Sequence, residues 1–134
     1  MSKSIAILGA GESGIGAAIL GLKHGYRVFL SDAGAISADR KLVLQSYGIA
    51  FEEGGHSEDI ILASDEVIKS PGIPDSAPLI KELLDLNVSL ISEIEFAFQH
   101  LPNEAKVLAI TGTNGKTTTT LLTHHLLSQA GYKV

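Results

Sequence analysis

Ile5-Ala6-Ile7-Leu8-Gly9-Ala10-Gly11-Glu12-Ser13-Gly14 decides the fold: a short apolar run enters a G-x-G-x-x-G turn and opens onto an amphipathic stretch. Such a run reads as a buried strand, and the turn as the entry to a helix. Gly9 permits the tight turn, Gly11 lets backbone approach a diphosphate, and Gly14 lets helix pack on strand. The helix N-terminus then offers unpaired N–H groups to an anion. Asp32 ends the next apolar run, 18 residues after Gly14, near the spacing at which a carboxylate accepts hydrogen bonds from a sugar hydroxyl. The pattern alone does not name the nucleotide, and a tight glycine turn beside a helix-capping aspartate is the structural alternative.

Outward from this unit, short apolar runs alternate with amphipathic stretches. Strands are expected at Ser4–Leu8, Arg27–Leu30, Ile49–Glu52, Glu66–Ile68, Ser89–Ile91 and Lys106–Ile110. Helices are expected at about Gly14–His24, Ser37–Ser46, Pro78–Leu86, Ser92–His100 and Lys116–Ala130. Strands this brief and rich in Val, Ile and Leu suit a parallel sheet buried on both faces, with the helices as crossovers. The fold class is α/β: a Rossmann-like, three-layer parallel-sheet domain followed by the first β-loop-α of a P-loop ATPase domain. The polar segment around Pro102 marks the boundary, giving domains at 1–104 and 105–134.

The second phosphate-loop signal is Val107-Leu108-Ala109-Ile110-Thr111-Gly112-Thr113-Asn114-Gly115-Lys116-Thr117-Thr118. The full pattern G-x-x-x-x-G-K-[ST] places glycine at 110, where this chain has Ile110; its glycine is at 112, so the loop is a variant. Backbone N–H groups over Gly112, Thr113, Asn114, Gly115, Lys116, Thr117 and Thr118 can form an anion-binding concavity, the expected ATP site. Lys116 can reach the outer phosphates, and Thr117 can supply a hydroxyl to Mg²⁺. A third candidate, Ser70-Pro71-Gly72, follows the fourth strand and falls on the same sheet rim as Gly9 and Asp32.

Composition removes whole classes of function. The net charge of −5 leaves no general basic field for nucleic acid. The absence of cysteine excludes disulfides, thiolate catalysis, iron–sulfur clusters and cysteine zinc sites. The N-terminal apolar run is too short for a signal core, and no run approaches a membrane span, so a soluble cytoplasmic chain is expected. The five histidines lack metal-ligand spacing and are expected at surfaces or helix ends. Glu93 reads as a cap or hinge residue, and the acids Glu52, Glu53, Glu58 and Asp59 as a solvated edge.

The run Thr111–Thr118, preceded by Gly9–Gly14, Asp32, Lys69–Gly72 and Ser92–Glu95, resembles the Mur ligases, amino-acid-adding enzymes of peptidoglycan precursor synthesis. The resemblance covers the whole chain, which matches only the front of a three-domain family. MurC-type members typically have histidine where this chain has Asn114. MurE-type members lack the G-x-G-x-x-G entry, and folylpolyglutamate synthases carry a similar loop near their N-terminus. The D-glutamate-adding branch is the most similar.

That branch implies UDP-N-acetylmuramoyl-L-alanine, D-glutamate and ATP as substrates, Mg²⁺ as cofactor, and a monomeric complete protein. It implies that Gly11, Glu12, Ser13 and Gly14 hold the diphosphate, while Asp32, Ser70, Pro71 and Gly72 border the uridine. Lys116 and Thr117 act in catalysis. Family members often have Asp-Thr-Arg where this chain has Asp32-Ala33-Gly34, so the arginine's uracil contact has no counterpart here. The resemblance further implies that this length of chain binds the nucleotide sugar without completing the ligase reaction. The rivals are a nicotinamide-dependent oxidoreductase or sensor, which leaves the Gly112–Thr118 loop idle, and a P-loop switch or hydrolase.

Overall fold

The computed structural model describes residues 2–134. Two compact units divide the chain, Met1–Leu101 and Pro102–Val134.

The first unit is a five-stranded, all-parallel sheet in the order β3-β2-β1-β4-β5. Its elements are β1 Ser4–Leu8, α1 Glu12–Lys23, β2 Arg27–Asp32, α2 Ala38–Ser46, β3 Ala50–Glu53, α3 Glu58–Leu62, β4 Glu66–Lys69, α4 Pro78–Asp85, β5 Ser89–Ser92 and α5 Glu93–Gln99. All five strands expected here form, most of them a residue or two longer at the C-terminal end. Helix α3 was not anticipated: five residues are too few to display helical periodicity, and its acids Glu58 and Asp59 suggested a loop.

Central β1 shows why an apolar run becomes a strand in this setting. Ile5 and Ile7 pack into one layer with Ala18, Leu30, Leu44 and Phe96. Ala6 and Leu8 point to the opposite layer, against Ile61, Val67, Ile80 and Leu83. Because side chains alternate across a strand, a run that is apolar at every position can serve only a strand covered on both faces. The four residues Ile5 to Leu8 are fully buried.

The chain winds from β1 through β2 to β3, then crosses to β4 and β5. The reversal leaves a switch point beyond the C-terminal ends of β1 and β4, which is where open α/β sheets take their ligands.

In the second unit, α6 spans Lys116–Gln129 and buries none of its residues. Lys106–Ile110, expected as a sixth strand, pairs with nothing and is not a strand. A strand exists only through ladder bonds to a neighbour, and this unit supplies none. Of the expected strand–loop–helix, the loop and helix are formed.

Candidate functional site

Three loops meet at the switch point of the first unit. Gly9 leaves β1 with φ +105°, a conformation that side-chain-bearing residues rarely adopt, and its N–H donates to Ser31 O at 2.8 Å. A Cβ placed on Gly9 would lie 3.0 Å from Ser70 Cβ, so the β1–α1 and β4–α4 loops are in contact there. Ser70 N–H in turn donates to Leu8 O at 3.1 Å. Lys69 donates to Ile73 O at 2.7 Å and pairs with Asp75 at 3.0 Å, which braces the loop carrying Ser70, Pro71 and Gly72.

Asp32 ties the end of β2 to this assembly. Its Oδ2 accepts the Ala10 N–H at 2.6 Å and its Oδ1 the Gly34 N–H at 2.8 Å. A carboxylate accepts more than one hydrogen bond per oxygen, so lone pairs remain for a sugar hydroxyl. Helix α1 starts from Gly11, and no side chain caps it, which leaves the first-turn N–H groups of Glu12, Ser13 and Gly14 available to an anion. Glu12 and Ser13 are exposed, while Gly14 is buried against the turn.

Beneath that turn lies a group the sequence did not reveal. Glu93, only 5% exposed, accepts the Ser13 hydroxyl at 2.8 Å through Oε2, and its Oε1 has no partner. Its place after the α5 N-cap Ser92 suggested a capping role, but Ser92 itself caps α5 by accepting from Glu95 N–H. Eighty residues separate Ser13 from Glu93, and no local pattern signals a pairing of that range.

Of the acids expected as a solvated edge, Glu53, Glu58 and Asp59 are exposed, whereas half-buried Glu52 sits in a hydrogen-bond network. Glu52 accepts the hydroxyl of fully buried Ser31 at 2.6 Å and the N–H of Ser57 at 2.7 Å, together with the Ser57 hydroxyl. Burial pushes the Glu52 carboxyl up, but the bonds from Ser31 and Ser57, with attraction to His56, outweigh it and hold the group below its ordinary 4.5. Glu53 accepts from Lys41 and from Ile36 N–H, which likewise favours its charged form. Glu58 and Asp59 are exposed in the first turn of α3.

His56 also departs from expectation. It is half-buried, and its Nδ1 lies 2.6 Å from Ser31 Oγ. His24 and His100 do end helices, α1 and α5, and their ring centroids lie 4.3 Å apart with the planes tilted by 60°. His124 and His125 are exposed on α6.

The lowered value of Glu52 has a consequence for stability. The folded state binds fewer protons than the unfolded chain, so this contribution is fully present above 4.5 and is lost as pH falls through the folded value. Asp65, held below its ordinary 3.8 by Ser4 N–H and hydroxyl, adds a loss of the same sign at lower pH. Urea midpoints measured from about pH 6 to about pH 3 should therefore fall steadily. Glu52→Gln should lower the midpoint at neutral pH and flatten the acid dependence. An unchanged slope would show that Glu52 is not the responsible carboxylate.

In the second unit, Gly115 is the left-handed N-cap of α6, with φ 76°, and no side chain caps the helix. Lys116 curls over the loop, donating to Gly112 O at 2.6 Å, with Thr113 O at 3.5 Å. Thr117 and Thr118 are exposed in the first turn, as are Thr113 and Asn114 in the loop. The geometry is an open glycine loop with a cation folded across its carbonyls at a helix N-terminus. Among the described residues no cluster of three His, Asp or Glu could hold a metal, and no helix is long and apolar enough to cross a membrane.

Comparison with known proteins agrees with this arrangement. The sequence model of the MurD N-terminal domain matches residues 4–78, more than half of the chain. A UDP-N-acetylmuramoylalanine–D-glutamate ligase of Cytophaga hutchinsonii is 54% identical over the whole chain, which covers 30% of that protein. The ligase of the same name from Bacteroides fragilis is 52% identical over 98% of the chain and 29% of its own length. Among solved structures, a murein peptide ligase of Psychrobacter arcticus superposes with a TM-score of 0.75 at 30% identity, over 97% of this chain and 27% of that one. The UDP-N-acetylmuramate-alanine ligase MurC of Thermotoga maritima gives a TM-score of 0.63 at 31% identity, over 93% of this chain and 29% of that one. The chain thus spans about 30% of the length of the curated relatives it matches.

Proposed function

Because the chain belongs to the MurD N-terminal domain family, we propose that it is the nucleotide-sugar-binding part, with the first ATP-loop segment, of a ligase joining D-glutamate to UDP-N-acetylmuramoyl-L-alanine. The observation that carries this reading is the convergence of the Gly9–Gly14 turn, Asp32 and Ser70 on one switch point, with a separate glycine–lysine loop in the second unit. An oxidoreductase would use the first feature and leave the second idle.

In this reading the domains are 1–104 for the nucleotide sugar and 105–134 for the start of the ATP domain, supported by the division into compact units near Leu101. The diphosphate lies on the N–H groups of Gly11, Glu12, Ser13 and Gly14. The exposed Glu12 side chain carries the same sign of charge as that anion, so its backbone does the binding. Asp32 and Ser70-Pro71-Gly72 border the uridine. The protein works in the cytoplasm, as a monomer when complete.

The reaction has to make a carboxylate electrophilic. Transfer of the ATP γ-phosphoryl to the L-alanyl carboxylate gives an acyl phosphate, which the D-glutamate amine attacks, releasing phosphate. The uncapped α6 N-terminus, the left-handed turn at Gly115 and the exposed Thr117 hydroxyl suit a phosphate chain with its cation. Bound Mg²⁺ supplies charge neutralisation at those phosphates. Lys116 exchanges its loop carbonyls for phosphate oxygens, Thr117 offers its hydroxyl to the ion, and the Gly112–Thr118 N–H groups orient the chain of phosphates. No residue here acts as a nucleophile.

Calorimetric titration of the 134-residue chain tests the reading. UDP-N-acetylmuramoyl-L-alanine should bind and NAD should not; preference for NAD would overturn it. With both substrates, ATP and Mg²⁺ present, this length of chain should release no ADP, and robust turnover would refute the division of labour proposed.

A further inference from the structure

A cavity of about 230 Å³ opens beside the switch point and belongs to none of the groups assigned so far. Its lining includes Leu8, which immediately precedes Gly9, and Ile73, which immediately follows Gly72, with Ala77 and Leu79 adding apolar wall. Its polar groups are His56 and Glu58, from the loop and helix after β3. An apolar slot with few polar atoms, lined by the residues next to Gly9 and Gly72, has the character of a site for a flat heterocycle.

The proton inventory at Ser31 defines what His56 can present there. Ser31 has one hydroxyl proton and three neighbours: Glu52 Oε1 and His56 Nδ1, each at 2.6 Å, and Gly55 O at 3.3 Å, a carbonyl that can only accept. An ionised carboxylate can only accept, so the Ser31 proton belongs to Glu52. His56 Nδ1 must then carry hydrogen and donate it to the Ser31 oxygen. In neutral imidazole that choice leaves Nε2 as an acceptor. Among the described residues Nε2 has no partner, and it lies on the ring edge away from Ser31. At the end of β2, Ala33 and Gly34 bring no polar side chain that could read a base in its place.

We propose that His56, its tautomer set by the Ser31–Glu52 pair, reads the nucleobase in this cavity by accepting a ring imide N–H. The ligand class is a uridine nucleotide. The N3–H of uracil satisfies Nε2, whereas the unprotonated N3 of cytosine sets one lone pair against another. The proposal rests on the nucleotide-sugar reading above and adds the residue that selects the base.

Isothermal titration of the 134-residue chain with UDP, CDP and 3-methyluridine diphosphate tests it. UDP should bind about tenfold or more tightly than either of the others, the loss expected when a site built for an N–H meets a ligand lacking it. In His56→Ala the UDP/CDP ratio should collapse toward one, mainly through weaker UDP binding. The 3-methyl analogue probes the same bond without altering the protein, so the test survives a variant that folds poorly. UDP binding with no penalty for N3-methylation, or an unchanged ratio in a folded His56→Ala, would overturn the assignment of His56 alone. Failure of the unaltered chain to bind UDP would remove the nucleotide-sugar reading and this inference together.

Discussion

Gly14→Ala should destabilise the first unit by more than about 3 kcal/mol and abolish the diphosphate binding proposed for its turn. A Cβ at position 14 would stand 2.0 Å from Gly9 O and 3.1 Å from Gly9 C, and 3.4 Å from Glu93 Oε1. The obstruction is backbone, not the far end of a flexible side chain, so relief requires moving either the β1–α1 turn or helix α1. Moving the turn disturbs the Gly9 N–H bond to Ser31 O and the Asp32 bond to Ala10 N–H; moving the helix pulls its N-terminus from the anion. Gly16→Ala is the internal control. It lies in the same helix, is exposed and has open space where a Cβ would go, so it should be neutral or stabilising by up to about 1 kcal/mol. Equal urea midpoints for the two variants would show that the contact at Gly14 is not what shapes this turn.

Lys116→Ala, made in the complete protein proposed above as a ligase, should lower kcat by about 10²–10³-fold while leaving affinity for the proposed nucleotide sugar unchanged. The expected split follows from the separation of roles. Lys116 lies in the second unit, on the glycine loop, and the groups proposed for the nucleotide sugar all lie in the first. Charge accumulates on the phosphates during phosphoryl transfer, and the ammonium is worth most at that moment. ADP release measured alongside nucleotide-sugar titration separates the two effects. A Lys116→Ala enzyme with full kcat would remove this residue from the reaction; one with kcat intact and sugar affinity lost would reverse the assignment of the two loops.

Much of the first unit was legible because its signals are local. Ser4–Leu8 is apolar at every position, a pattern that only a doubly covered strand can use, and its bounds match those expected. Helix α4 follows from Pro78 at its first turn and its apolar spacing. Short α3 was not legible, since one turn and a half is less than the period needed to recognise it. The expected strand at 106–110 failed for a different reason: its composition suits a strand, but pairing is a property of neighbours.

Chemistry divides along the same line. Gly9, Gly11 and Gly14 and the helix that follows lie within one short stretch, and so does the loop from Gly112 to Thr118; spacing alone made both candidate anion sites. The partners of Asp32, Glu52, His56 and Glu93 lie from 2 to 80 residues away, and most of those bonds exist only because the parallel sheet brings strand ends together. Glu52 looked like surface because charge in sequence says nothing about which donors will surround it. The sequence by itself determined two glycine loops, the alternation of strand and helix and the family. Tertiary structure alone decided that Asp32 clasps the first loop, that Glu93 lies buried beneath Ser13, and that Ser31 and Glu52 orient His56. The reason is physical: backbone turns are encoded over a few residues, whereas a side chain's protonation and direction depend on whatever the fold places within about 3 Å of it.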